Sequence, residues 1–112
     1  MFVKNYKEIE AQEAGEGSKG VKIRWVINKD TGAKHFAMRV LEMAAGGYSP
    51  LHTHEWEHEV FILKGEGVVL DKEGKEHKLT NGSVVFVPSN DLHQFKNTGN
   101  DTMEFICVIP NL

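Results

Sequence analysis

His52-Thr53-His54-Glu55-Trp56-Glu57-His58-Glu59-Val60-Phe61-Ile62-Leu63-Lys64-Gly65 is the stretch on which the fold turns. Read as strand, reversal and second strand, it puts His52 and His54 on one face, because side chains two apart on a strand point the same way. A turn at Glu55-Trp56-Glu57 then brings His58 beside them on the next antiparallel strand. Read as a helix, His54 to His58 matches H-E-x-x-H, the zinc metalloprotease motif. A helix would place His52 about 200° around the axis from His54, out of reach of a shared ion. Val60 to Leu63 is rich in β-branched and aromatic residues and a glycine follows at once, so the helical context the motif needs is missing. The stretch therefore reads as strand, reversal and strand.

Outward from this stretch, apolar and polar residues alternate along most of the chain, the period of half-buried strands. Candidate strands are 21–27, 35–43, 49–54, 58–64, 67–70, 76–79, 83–87, 92–96 and 103–109. Between them lie turn-forming runs: Asn28 to Gly32, Ala45-Gly46-Gly47, Lys72 to Lys75, Asn81-Gly82 and Asn97 to Asn100. Lys64-Gly65-Glu66-Gly67 is a hairpin bend rather than a phosphate loop, because its lysine precedes the glycines and no helix follows. Many short strands so spaced predict an all-β sandwich or barrel. Residues 5–14 can form a short helix, and Gly15 to Gly20 has the composition of a flexible linker. The expected organisation is an N-terminal arm, 1–20, mobile in character, and one barrel domain, 21–112.

With 112 residues, 40% of them hydrophobic, the chain suits one core of ordinary domain size. A net charge of -3 with interspersed signs provides no basic footprint, so nucleic acid is not an expected partner. No apolar run is long enough to span a membrane and the N-terminus lacks a signal-peptide pattern, which makes a cytoplasmic location the default expectation. The single cysteine, Cys107, cannot form an internal disulfide and fits a reducing compartment.

Six histidines occur, three of them within the seven residues 52–58. His93 opens a later strand after the turn-forming Pro88-Ser89-Asn90-Asp91. Four neutral imidazoles at converging strand positions suit a divalent transition metal; as unliganded groups they would repel one another when protonated and add little to packing. His35 and His77 lie outside this set and read as surface or strand-packing residues. Glu55, Glu57 and Glu59 read as a solvated rim, one of which can orient a ligand's second ring nitrogen.

The spacing of these residues resembles that of the cupin superfamily, whose motifs are G-x5-H-x-H-x3-4-E-x6-G and G-x5-P-x-G-x2-H-x3-N. Gly46, His52, His54 and Gly65 match the first, with His58 at the usual glutamate position. Gly82, Pro88, His93 and Asn97 match the second, with Asn90 at the middle glycine, a mild change because Asn tolerates φ > 0. The match spans 46–97, and 16 residues separate Gly65 from Gly82. The resemblance implies a double-stranded β-helix, or jelly-roll barrel, holding a metal inside, and frequent homodimers. His58 in place of glutamate is similar to the four-histidine subgroup of small cupins, which includes manganese-type members. Manganese is implied by this resemblance alone, since imidazole also accepts Fe, Ni, Cu and Zn, and affinity alone favours Cu.

Four protein ligands on an octahedral ion leave two positions, enough for a bidentate oxygen ligand or for one substrate oxygen and dioxygen. Strand parity turns Phe95 inward with His93. On the last strand it favours Phe105, Cys107 and Ile109 as an apolar pocket wall. Arg39 shares a face with Ala37 and Leu41 and can bind a substrate carboxylate, or else make a surface or interface salt bridge. Cys107 is a further candidate pocket residue, although a lone strand cysteine is more often a small buried hydrophobe. The leading functional reading is a metal-dependent oxidoreductase, dioxygenase-like, acting on a small organic molecule. The alternatives are a metal-dependent isomerase, which needs a base such as Glu42 or Glu104 in the pocket, and a metal or ligand binder without turnover. Apolar residues on both faces of the strand around Phe61 and Leu63 also suggest a homodimer.

Overall fold

A computed structural model describes all 112 residues. The chain is all-β, as the alternation predicts. Its strands are β1 (Gln12–Glu13), β2 (Lys19–Ile27), β3 (Phe36–Tyr48), β4 (His58–Lys64), β5 (Gly67–Leu70), β6 (Glu76–Leu79), β7 (Val84–Val87), β8 (Gln94–Asn97) and β9 (Met103–Pro110). They form one curled sheet, every pairing antiparallel, in the order β6-β5-β8-β3-β9-β4-β7, with β2 on β3 and β1 on β2. The two ends of that order, β6 and β7, line a common cleft together with Val69 and His93. No helix is long and apolar enough to cross a membrane.

Strand β9 shows why the alternation dictates the inside of the barrel. Met103, Phe105, Cys107 and Ile109 are buried in the core cluster, while Ile106 and Val108 between them are only half-buried. Its neighbour β4 repeats the pattern with Val60 and Ile62 inside and Glu59, Phe61 and Leu63 outside. Met43, Ile62, Met103 and Cys107 are fully buried, so the core runs from the bulged end of β3 to the middle of β9.

Two strand expectations are corrected around Ala44 to His54. Ala45-Gly46-Gly47 does not end a strand; β3 continues through it as a large bulge. Between the pairs Lys19↔Tyr48 and Val21↔Met43, β3 carries Ala44 to Gly47 where β2 carries only Gly20. Gly46 adopts φ 77°, a left-handed conformation that bends the strand. A Cβ on Gly47 would sit 2.7 Å from the Lys19 carbonyl oxygen, so the backbones approach there as only glycine permits. Below the bulge β3 pairs with β9, and beyond it Tyr48 pairs with Lys96 of β8. Residues 49–54, expected as a strand, are irregular apart from a bridge between His52 and His93. Pro50 within this run has no N–H to donate to a ladder.

The N-terminal segment forms one 3-10 turn, Tyr6–Glu8, capped by Asn5, in place of the short helix expected over 5–14. It is tied to the barrel at several points. Strand β1 pairs with β2, the Tyr6 hydroxyl donates to Glu104 Oε1 at 2.9 Å, and Arg24 Nη1 donates to the Ile9 carbonyl at 2.6 Å. Ala14 packs on the core cluster.

Buried Asn97 closes the β8–β9 turn. Its Nδ2 donates to the carbonyls of Met43 and Asp101, each at 2.8 Å, and its Oδ1 accepts from Gly99 N at 2.9 Å. A residue that looks like one of several turn formers in the sequence thus pins the bulged end of β3 to the start of β9.

Candidate metal centre

The bridge between His52 and His93 is the local scaffold of the site. His52 N donates to the His93 carbonyl at 3.2 Å and His93 N donates back to the His52 carbonyl at 3.1 Å. Their ring centroids lie 4.9 Å apart, and His54 is 5.0 Å from each. One ring nitrogen from each of His52, His54 and His93 falls within 4.8 Å of the others, so these three can hold a metal ion. Asn90, at φ 66°, turns the chain just before His93, and its N–H donates to the His54 carbonyl at 2.8 Å. It does the work of the glycine it replaces.

Two of the three rings are oriented by the backbone. His54 Nδ1 lies 2.7 Å from the Trp56 carbonyl oxygen and His93 Nδ1 lies 2.8 Å from that of Asp91. A carbonyl only accepts, so both Nδ1 atoms carry the proton and both Nε2 lone pairs are free for a ligand. Trp56 also stacks on His54, 4.5 Å between centroids and 4° from parallel. The backbone and Trp56 thus supply the orientation expected from one of Glu55, Glu57 and Glu59.

His58 stands at the edge of this set. Its Nε2 is 2.6 Å from His54 Nε2 and its Nδ1 is 2.8 Å from Cys107 Sγ, with its ring centroid 5.4 Å from that of His93. Because His54 Nε2 presents a lone pair, a neutral His58 closes the contact by donating from Nε2–H while Cys107 donates to its Nδ1; a metal ion would instead take both Nε2 lone pairs, with His58 Nδ1–H donating to the sulfur. The three nitrogens of His52, His54 and His93 thus fit a metal, with His58 beside them against His54.

A cavity of about 210 Å³ adjoins the imidazoles and is lined by Arg39, His52, His58, His93, Phe95, Phe105 and Cys107, among others. Ile109, expected in the same wall, is corrected: it is buried in the core but borders a separate cavity with Trp25 and Ala37. Its parity is inward, yet it sits two residues too far along β9. Four lining residues come from the N-terminal arm: Ala14, at the end of the expected short helix, and Gly15, Glu16 and Ser18 of the expected linker. The only sequence signal for this was apolar Ala14 beside a glycine run. Glu42 and Glu104 do not face the cavity. Glu42 pairs with Arg24 at 3.2 Å, and Glu104 pairs with Lys64 at 2.8 Å and accepts from Tyr6. Burial opposes ionisation of Glu104, but the bonds from Lys64 and Tyr6 outweigh it and hold its carboxyl below the usual range. His77 bonds Asp71 at 2.7 Å on the surface, away from the imidazole cluster.

Residues 39–109 match the family described as Cupin domain. The chain belongs to the cupin family. The oxalate-binding protein of Thermotoga maritima is 38% identical over 98 residues, which cover 83% of this cupin and 78% of that protein. The crystal structure of a predicted oxalate decarboxylase from Thermotoga maritima, 31% identical, superposes with a TM-score of 0.86 over 99% of this cupin and 100% of that chain. The polyketide cyclase RemF of Streptomyces resistomycificus, 28% identical, reaches a TM-score of 0.92 over 98% of this cupin and 79% of that chain.

Electrostatics favour the neutral form of His52, His58 and His93 in this cupin. Burial, then the positive Arg39 and the neighbouring imidazoles, push His58 down to about 3. Burial is also the main cause that lowers His52, followed by His93, His54 and Arg39. His93 is lowered by burial too, against a raising contribution from the Asp91 carbonyl. Burial raises the Cys107 thiol against the opposing pull of Arg39. A folded pKa below the unfolded value of about 6.5 means that the unfolded chain binds more protons between the two, so stability rises with pH there. In the metal-free protein, the stability that depends on neutral His58 is complete above about pH 6.5 and is lost as pH falls towards 3. His58 alone contributes a slope of at most about 1.4 kcal/mol per pH unit. Urea unfolding of the metal-free protein at pH 7, 5.5 and 4.5 should show a shallower loss of stability for His58→Gln than for the wild type. Parallel slopes would contradict the assignment.

Proposed function

We propose that this cupin holds one divalent transition metal through His52, His54, His58 and His93 and uses its remaining coordination positions to bind a small, oxygen-chelating organic molecule. The observation that carries the reading is the convergence of proton-free imidazole nitrogens on one side of a cavity of about 210 Å³. Sites for drug-sized ligands occupy about 300–1,000 Å³, so this one suits a ligand of few heavy atoms. An all-imidazole set leaves the ion's full charge to polarise a bound oxygen donor. Within the chain, backbone carbonyls orient His54 and His93, Cys107 holds His58, and Phe95 and Phe105 wall the cavity. Manganese is the ion we favour, on the four-histidine resemblance, with Fe, Ni, Cu and Zn as the alternatives.

For turnover, we propose a dioxygenase-like oxidation rather than an isomerisation, because Glu42 and Glu104 are engaged in ion pairs away from the cavity and Glu16 is the only acid that lines it. Binding without turnover is a second reading, favoured by a relative 38% identical to this chain that is an oxalate-binding protein. Metal analysis of untreated protein should find about one transition-metal ion per chain. Titration with oxalate and catechol should show binding that chelation by EDTA abolishes. Oxygen uptake on adding enols or catechols supports the oxidase reading; metal-dependent binding with no uptake supports the binder. Binding unaffected by EDTA would overturn the metal-centred reading.

We also propose that the cupin is a homodimer joined through the outer face of β7, β4 and β9. Phe61 lies between Val84 and Ile106 in register, and Glu59 between Phe86 and Val108. Phe61, Val84 and Phe86 are 45%, 74% and 58% exposed, a contiguous apolar patch of the kind that marks an interface. Light scattering should give twice the chain mass at micromolar concentration, and Val84→Lys with Phe86→Lys should give the monomer. A monomeric wild type would refute the dimer.

A further inference from the structure

Arg39 is the only charged residue in the inward-facing row of β3. Its row-mates Ala37, Leu41 and Met43 are buried apolar residues of the core cluster. In register, Arg39 lies between Trp25 of β2 and Cys107 of β9. The guanidinium carbon sits 5.3 Å from the centre of a Trp25 ring, and Nη2 donates to Cys107 Sγ at 2.8 Å. Nε is buried and donates to nothing. No carboxylate answers the charge: the ion pairs of the chain are Arg24–Glu42, Lys64–Glu104 and His77–Asp71. Glu16, which lines the same cavity, does not pair with it.

A guanidinium stays ionised, and holding it in a partly dry cavity without a counter-charge is costly unless an anion joins it. Its planar fork matches a carboxylate, which it can bind through two parallel hydrogen bonds. Its position relative to the imidazoles restricts what that carboxylate belongs to. Cys107 Sγ touches both Arg39 Nη2 and His58 Nδ1, so the fork stands two hydrogen-bond lengths from a ring whose other nitrogen meets His54. Both groups border the one small cavity.

We propose that Arg39 selects the ligand by its charge: the molecule taken at the histidine site is a small organic anion, a short dicarboxylate or a 2-oxo or 2-hydroxy acid, whose outer carboxylate oxygens meet the Arg39 fork. Trp25 is the platform that aims the fork. The inference rests on the reading of the site as a metal centre for oxygen chelators, and it adds the substrate class.

The test uses the full-length, metal-loaded protein and two chelators. Oxalate binds a metal through two oxygens and leaves two more to face Arg39. Acetohydroxamate chelates through two oxygens and presents a methyl group instead. Calorimetric titration should show that Arg39→Gln keeps the wild-type metal content and acetohydroxamate affinity but binds oxalate at least about tenfold more weakly. Arg39→Lys, which keeps the charge and loses the fork, should fall between them, and it carries the same comparison if the Gln variant does not fold. Wild-type oxalate affinity in Arg39→Gln, with binding still abolished by EDTA, would overturn the role of Arg39 and leave the metal-centre reading standing. Equal weakening of both chelators at full metal content would also overturn it, as a general disturbance of the site. A metal-loaded wild type that binds neither chelator would overturn both.

Discussion

Two backbone hydrogen bonds between His52 and His93 set the geometry of the site. They join the irregular run after β3 to the start of β8, and they hold the two imidazoles 4.9 Å apart before any ion is considered. Everything upstream serves this approach. The bulge at Ala44 to Gly47 swings β3 from β9 to β8, Pro50 keeps the next residues out of a ladder, and Asn90 turns the chain into His93 while bonding His54. A regular strand over these residues would lack the four-residue bulge that carries the chain from β9 to β8.

Within that scaffold the governing constraint is charge. Burial and Arg39 disfavour the charged form of His52 and His58, so these imidazoles stay neutral, each with one nitrogen lone pair. The same barrel interior holds a guanidinium with no acid partner and a protonated thiol that touches both it and His58. Each of these groups is poorly satisfied in isolation. A cation among the imidazoles and an anion against Arg39 would satisfy them together, which would make metal binding and anion selection two parts of one design.

Much of this was legible in the residues. The period-two alternation placed β4, β5 and β6 at their observed bounds, and the H-x-H spacing with His93 named the three imidazoles that converge. What escaped the sequence depended on long-range contacts. Ala45-Gly46-Gly47 has the composition of a turn, and only the partner strand β2 makes it a bulge. Gly15 to Ser18 reads as a linker because its packing partners, such as Pro50 against Gly17, are distant in the chain. Ile109 has the right parity for the pocket, but alternation specifies which side a residue faces and not how far along the barrel it lies. Arg39 was visible as a cation in an inward row, while its lack of an acid partner needed the folded positions of Glu42 and Glu104, both taken up outside.

The central claim is that one ion is shared by four imidazoles. Anomalous diffraction at the manganese absorption edge, from crystals of manganese-loaded protein, tests it most directly. The account predicts one strong peak at about 2.0–2.3 Å from ring nitrogens of His52, His54, His58 and His93. A peak bound by His52, His54 and His93 with His58 turned away, or no peak among the four rings, would contradict it.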